Sequence, residues 1–219
     1  MNSSAEPLRR SKIVQFADAL TMPLRALFMG PRSWLGLTAM RDERMWQFER
    51  FSKGKVLDIG CGPGNLFIRN FIGTERGIGI DFFAYDGVDT VIDDPTHLPF
   101  ADETFDTVTL IAVGGHIPQN VRVAEFAEIA RILKKGGRLL MSEGEPFTQW
   151  FTHKWQDFYY VTLLRQEHMD HERGMEHDEQ FCMPAAEMLS YLNTPPLKHV
   201  ETHRFQWGLN RIEVAERVS

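Results

Sequence analysis

The sequence predicts an α/β fold: a seven-stranded, mostly parallel sheet with helices on both faces, closed by a C-terminal antiparallel hairpin. Three observations predict it. Between residues 52 and 144, short apolar runs ending in glycine or an acid alternate with helix-period segments. Their order is strand, helix, strand, strand, helix, strand, which builds a parallel sheet covered by helices. A glycine-rich turn in "VLDIGCGPG" (56–64) follows the first strand, and open sheets of this kind take ligands beyond the carboxyl ends of their strands. Finally, "KHVETHRFQW" and "NRIEVAERV" are two strand-like runs that meet across Gly208, the pattern of a hairpin.

Each element has a local reason. "IVQFADALTMPLRALFMG" is apolar but broken by Asp18, Pro23 and Arg25, too interrupted for a membrane span. It reads as an amphipathic leader helix packed on its own domain, with contact to a membrane surface as the alternative. "MRDERMWQFERF" places Met45, Phe48 and Phe51 at helical spacing. "KVLDIG", "RGIGIDFF", "DTVIDD", "TFDTVTLIAV" and "RLLMSE" read as strands one to five. "NLFIRNFI" starts a helix with Asn65 placed to cap it. "VRVAEFAEIARILKKGG" is a helix with Val123, Phe126, Ala127, Ala130 and Leu133 on one face. Lys134 and Lys135 suit its negative end, and Gly136 its left-handed close. "MPAAEMLSYLN" is a last helix. The organisation expected is a helical leader (1–51), an α/β core (52–144), a lid-like helical insertion (145–182), and a helix plus hairpin that complete the core (183–219).

Bulk properties narrow the function. A chain of 219 residues suits one domain with a good core. A net charge of −6 and no basic patch argue against nucleic acid as a partner. Cys61 and Cys182 show no metal spacing, which fits a reduced, cytoplasmic setting. His168, His171 and His177 lie in a segment with six acids. Solvation explains that segment without a metal, and no metal site is expected.

The glycine turn offers two cofactor classes. Dinucleotide folds space their glycines G-x-G-x-x-G so that backbone reaches a pyrophosphate. Here Gly60, Gly62 and Gly64 alternate, and Pro63 removes a backbone donor. Asp58, two residues before the turn, would repel a pyrophosphate and suit a ligand with a cationic end.

"VLDIGCGPG", "GIGID", "LPFADETFDTV" and "ILKKGGRLLM", in that order, resemble a class I S-adenosylmethionine-dependent methyltransferase of the small-molecule, type 11-like kind. The resemblance covers roughly residues 45–145. It implies a Rossmann-like sheet and S-adenosylmethionine as cofactor. By position it implies Asp58 near the methionine amine, Gly60 and Gly62 close to the methionine and ribose, and Asp81 on the ribose hydroxyls. Phe82 and Ile111 would pack on the two faces of adenine, and Asp94 would take its amino group. Pro95 departs from the family pattern by offering no N–H to adenine, so Asp93 is the alternative acid.

The acceptor side is less defined. His116, after the fourth strand, and Glu143, at the end of the fifth, are candidate bases, which a hydroxyl or carbon acceptor would need. Phe147, Trp150, Phe151, Trp155, Phe158 and Tyr159 recur at helical spacing. With His153, Trp150 and Tyr159 are candidates for the wall of a substrate pocket, although such aromatics also simply pack a helix on a core. The expected reaction is in-line methyl transfer to a small molecule with an apolar or aromatic part. The alternative is a catalytically inactive relative that binds the cofactor or a partner protein. Where enzymes that methylate nucleic-acid amino groups carry an "NPPY"-like tetrad, this chain reads "AVGG".

Overall fold

The computed structural model describes residues 11–28, 38–144, 150–151, 154–155, 158–163, 165 and 183–218. Its helices are α1 (Lys12–Leu20), α2 (Met22–Phe28), α3 (Met40–Phe51), α4 (Arg122–Ile132) and α5 (Ala185–Leu192). Its strands are β1 (Val56–Ile59), β2 (Gly77–Asp81), β3 (Thr90–Val91), β4 (Phe105–Ile111), β5 (Leu133–Gly144), β6 (Leu197–Phe205) and β7 (Asn210–Arg217). They form one seven-stranded sheet in the order β3-β2-β1-β4-β5-β7-β6. The first five strands run parallel, and β7 slots antiparallel between β5 and β6. Strand order reverses at β1, whose neighbours are β2 and β4.

Strand alternation sorts the core into two layers. Leu57, Ile59, Val108, Leu110, Leu139 and Met141 face Phe126 and Ile129 of α4 and Met188 of α5. Val56, Leu140, Ile212 and Val214 face Met45 and Phe48 of α3 together with Phe67, Ile68 and Ile72. The central strands are therefore buried on both sides, as parallel strands covered on two faces require, with Asp58, Thr107, Thr109 and Ser142 as polar positions on the α3 side.

Several expectations need correction. The helix after the glycine turn is a 3-10 turn (Pro63–Asn65) leading into a π-helix (Ile68–Ile72). Asn65 does not act as its cap: its backbone is left-handed (φ 47°), and its Nδ2 donates to Asp89 Oδ2 at 2.8 Å. On α4 the buried face runs through Arg122, Glu125, Phe126, Ile129 and Ala130, while Val123 and Ala127 are exposed. That face is shifted because Arg122 can be satisfied inside, bonding Ile117 C=O (2.8 Å) and Glu187. The helix also stops at Ile132. Residues 134–137 bulge between the register pairs Phe105↔Leu133 and Thr107↔Arg138, and Lys134 pairs with Asp106 at 2.8 Å. Gly136 is left-handed (φ 70°) but serves this bulge and not a helix end.

The leader is two helices joined at Thr21, and α1 is turned against expectation: Asp18 is buried, whereas Ile13, Phe16 and Leu20 are exposed. No helix among the described residues is long and apolar enough to cross a membrane.

Gly79 on β2 tests how tightly the turn is locked to the sheet. A Cβ there would fall on the Asn65 side chain, which is itself held by Asp89. Gly79→Ala is expected to lower stability by about 1–3 kcal/mol through overpacking, read as a lower urea midpoint with an unchanged slope.

Candidate active site

The carboxyl ends of β1, β2 and β4 meet where strand order reverses. Asp58 lies level with Gly79 on one side and Thr109 on the other. Its side chain is 2% exposed, and Thr109 Oγ1 donates to its Oδ1 at 2.6 Å. Burial raises the Asp58 carboxyl to about 7; the Thr109 hydroxyl opposes this rise, and the charge of Asp81 adds to it.

Asp81 closes β2. It accepts from the Gly62 amide on Oδ2 (2.9 Å) and the Phe83 amide on Oδ1 (3.0 Å). It thereby ties the glycine turn to the end of β2 and leaves further lone pairs on each oxygen. Gly60 (φ 71°) has no room for a side chain, since a Cβ would lie 2.7 Å from Val113 Cγ2 in the loop after β4. Gly62 is the opposite case. It adopts φ 65°, ψ −176°, a region open only to glycine, and a Cβ there would meet nothing within 4 Å. The turn thus presents bare backbone to open space, with carboxylates around it. Those carboxylates are felt by Cys61, whose thiol is pushed up to about 12 by burial and by Asp58, Asp81 and Asp89. A thiol so placed stays protonated and is no nucleophile.

The remaining sequence candidates divide. Phe82 follows β2 directly and is 42% exposed. Ile111 ends β4, half-buried against the α3-side core layer. Asp94 sits in a turn of its own making: Oδ1 accepts from Thr96 N (2.8 Å) and Thr96 Oγ1 (2.6 Å), and Oδ2 lies 2.9 Å from His97 Nδ1. These hydrogen bonds, those from Thr96 first, hold its carboxyl below the usual range. Its neighbour Asp93 is exposed.

Glu143 is buried. Its Oε1 accepts from the Gly115 amide at 3.2 Å, and burial raises its carboxyl to about 7 against the opposing charge of Arg44. It therefore grips the short 3-10 turn Gly114–His116, where His116 is the last residue and half-buried. Trp150 is exposed and Tyr159 half-buried; His153 lies outside the described residues, as do His168, His171 and His177. Among the described residues no three His, Cys, Asp or Glu side chains are grouped to hold a metal.

Sequence reasoning missed Thr109, Asp89 and Arg44. Asp89 Oδ2 accepts from Asn65 Nδ2 and from the Gly79 amide, each at 2.8 Å, and so fastens the glycine turn to β2. The alternation in "TFDTVTLI" puts Thr107, Thr109 and Ile111 on one face, but only the β1–β4 register says that this is the face of Asp58.

Asp58 gives a pH-dependent stability with a fixed sign. It binds its proton more tightly in the folded chain (about 7) than unfolded (3.8). Its contribution to folding is therefore favourable at low pH and is lost as pH rises from about 4 to about 7. Asp58→Asn, which keeps an acceptor for Thr109, is expected to stabilise the ligand-free protein at pH 8 by on the order of 2 kcal/mol. It should make little difference near pH 4. Chemical denaturation at the two pH values reads the effect.

An open α/β sheet of this topology, with a glycine turn ringed by carboxylates at the strand reversal, defines a methyltransferase-type domain. Residues 37–181, well over half of the chain, match the family model described as "Methyltransferase domain", and the chain belongs to that family. The ubiquinone/menaquinone biosynthesis C-methyltransferase of Desulfotalea psychrophila is 31% identical over 122 residues, 49% of this chain and 48% of that protein. A demethylmenaquinone methyltransferase of Thermobifida fusca is 44% identical over 95 residues, 43% of this chain and 37% of that one. A probable human tRNA methyltransferase matches at 32% over 92 residues, 39% of this chain and 20% of its own length. The chain thus spans about half or less of each of these relatives. The 1,6-didemethyltoxoflavin-N1-methyltransferase of Burkholderia thailandensis, solved with S-adenosylhomocysteine, superposes with a TM-score of 0.54 at 15% identity. That match covers 98% of this chain and 94% of that one.

Proposed function

We propose that the protein binds S-adenosylmethionine at the carboxyl ends of β1 and β2 and transfers its methyl group to a small-molecule acceptor. The observation that carries this reading is the negative field around an open glycine turn. The carboxylates of Asp58, Asp81 and Asp89 add to burial in raising the Cys61 thiol, and Asp81 holds the Gly62 amide, a setting that repels pyrophosphate and attracts a cation. Asp58 would hold the methionine ammonium, Asp81 the ribose hydroxyls, and Gly60 and Gly62 would let backbone lie against the ligand. Phe82 and Ile111 would flank the adenine. For its amino group we keep Asp94, which would have to release a bond to Thr96 or His97. When bound, the cofactor supplies an electrophilic methyl on a sulfonium, displaced in line by the acceptor. The protein's part is then to align the acceptor, exclude water and, for a hydroxyl or carbon acceptor, take a proton.

For that proton we assign His116, with Glu143 as the residue that sets its turn. Glu143 also lies near neutrality and is the second candidate base. The segment at 145–182, carrying Trp150, His153 and Tyr159, is the proposed acceptor wall. Two relatives are named for quinone methylation, which supports an acceptor that joins an aromatic ring to an apolar part.

Calorimetry with S-adenosylmethionine, S-adenosylhomocysteine and NAD tests the cofactor assignment. The first two are expected to bind and NAD not to; binding of NAD alone would overturn it. Asp81→Ala should weaken S-adenosylhomocysteine by roughly 30- to 100-fold, the worth of charge-assisted hydrogen bonds. Radiolabelled methyl transfer to an apolar quinol, an aromatic amine and bulk tRNA tests the acceptor class. Label is expected in the quinol or the amine. Label confined to tRNA would contradict the small-molecule reading, and no label with a bound cofactor would favour the inactive alternative.

A further inference from the structure

The leader is inside out, and its orientation is fixed. On α1 and α2 the outward residues are Ile13 (80% exposed), Phe16 (70%), Leu20 (68%) and Leu24 (59%). These positions, three and four apart, make one continuous apolar stripe. The inward side carries Met22 (2% exposed) and two charged residues, Asp18 and Arg25. Asp18 accepts from the Thr38 amide at 3.1 Å. Arg25, fully buried, donates to Thr38 C=O (3.1 Å), to Glu43 Oε2 (2.6 Å) and to Asp18 C=O. The bonds continue inward. Gln206 Nε2 donates to Glu43 Oε2 (3.3 Å) and Met40 C=O (2.9 Å), Asn210 Nδ2 to Gln206 Oε1 (2.6 Å), and Arg44 Nη2 to Asn210 Oδ1 (3.1 Å). Rolling the helix to bury its apolar side would strand Asp18 and Arg25, so the stripe is held outward by the interior.

Trp207 belongs to the same face. Pro23 has no N–H to offer Ala19 C=O, the bond an unbroken helix would make. The indole N–H of Trp207 takes that carbonyl instead, at 2.8 Å. The ring remains 66% exposed, on a turn where both Gln206 (φ 50°) and Trp207 (φ 58°) are left-handed. Such a backbone is costly for an aromatic residue, and here it displays one beside an apolar stripe.

The charge of the segment picks the occupant. In residues 9–28 the basic residues are Arg9, Arg10, Lys12 and Arg25, and the one acid is Asp18. Arg25 and Asp18 are buried together. Lys12 is exposed at the start of α1, and Arg9 and Arg10 precede it in the sequence. The leader is thus basic and apolar in a chain whose net charge is −6. Aliphatic side chains, an indole at the edge and flanking cations are what the headgroup boundary of an anionic bilayer accommodates. We propose that α1, α2 and Trp207 form a docking face for an anionic lipid surface, with Ile13, Phe16, Leu20 and Leu24 entering the headgroup layer. The proposal goes beyond the reaction and does not rest on it.

Co-sedimentation of the full chain with vesicles of phosphatidylglycerol and phosphatidylcholine, and with phosphatidylcholine alone, tests this. Wild type is expected to pellet with the anionic vesicles and several-fold less with the neutral ones. Phe16→Ser with Leu20→Ser should weaken that binding at least tenfold. Because both side chains point outward, the melting temperature and the S-adenosylhomocysteine titration should stay as in wild type. Lys12→Glu should weaken only the anionic-vesicle binding. A wild type that stays in the supernatant with both vesicles, or a double variant that pellets like wild type, would overturn the proposal. So would a wild-type dimer, seen by sedimentation equilibrium, that ignores vesicles and is dissolved by the double variant; the face would then belong to a second copy.

Discussion

A carboxylate buried where the sheet reverses direction is the constraint on which the site turns. Asp58 lies inside β1, between β2 and β4. The groups that bear on its charge are one hydroxyl that stabilises it and one carboxylate that opposes it. A fold gains nothing from such a charge, because burial of an ion without a cationic partner is unfavourable. The surroundings nevertheless converge on it. Asp81 draws the Gly62 amide across, Asp89 fastens Asn65 and Gly79, and Gly60 lets Val113 close in from the loop after β4. Three strand ends are thus locked around a turn whose outer face is bare. In the proposed reading this is local instability kept in place by rigid neighbours, which a ligand of opposite charge would relieve.

The same logic recurs in the leader, whose buried polar chain reaches Asn210 beside the carboxyl end of β5, with the polarity reversed. The buried chain from Asp18 through Arg25, Glu43 and Gln206 to Asn210 and Arg44 turns the leader's charged residues inward and leaves Ile13, Phe16, Leu20 and Leu24 outside. The charge of Arg44 also opposes the rise that burial gives the Glu143 carboxyl. The leader and the loop that carries His116 are therefore connected through α3 and the start of β7. The proposed lipid-docking face and the proposed apolar aromatic acceptor would complement each other.

Much of this was legible in the sequence. The alternating elements of residues 52–144 and the terminal hairpin gave the sheet, because crossover strands are short, apolar and ended by glycine or an acid. Asp58 and the spacing of Gly60, Gly62 and Gly64 point away from pyrophosphate on sequence alone. Periodicity failed wherever long-range polar bonds override it. Asp18 and Arg25 looked like interruptions in an apolar helix, yet they are its buried side, since their partners Thr38, Glu43 and Gln206 lie far along the chain. Arg122, bonded to Glu187, rotated α4 for the same reason. Asn65 had the sequence of a cap but found Asp89. Thr109 could not be tied to Asp58 without the strand register, and Asp94, flanked by Pro95 and Thr96, is bonded into its own turn.

The central claim is that Asp58 is held near neutrality by burial and awaits a cation. The most direct measurement is a carbon-detected magnetic resonance titration of the Asp58 carboxyl, in the free protein and with S-adenosylhomocysteine, which carries the same amino-acid end. The account predicts a midpoint of about 7 in the free protein. Saturation with ligand should move it down by roughly two pH units or more, as a cation in contact with the carboxylate requires. A free-protein midpoint near the ordinary aspartate value, or a midpoint that ligand leaves in place, would contradict it.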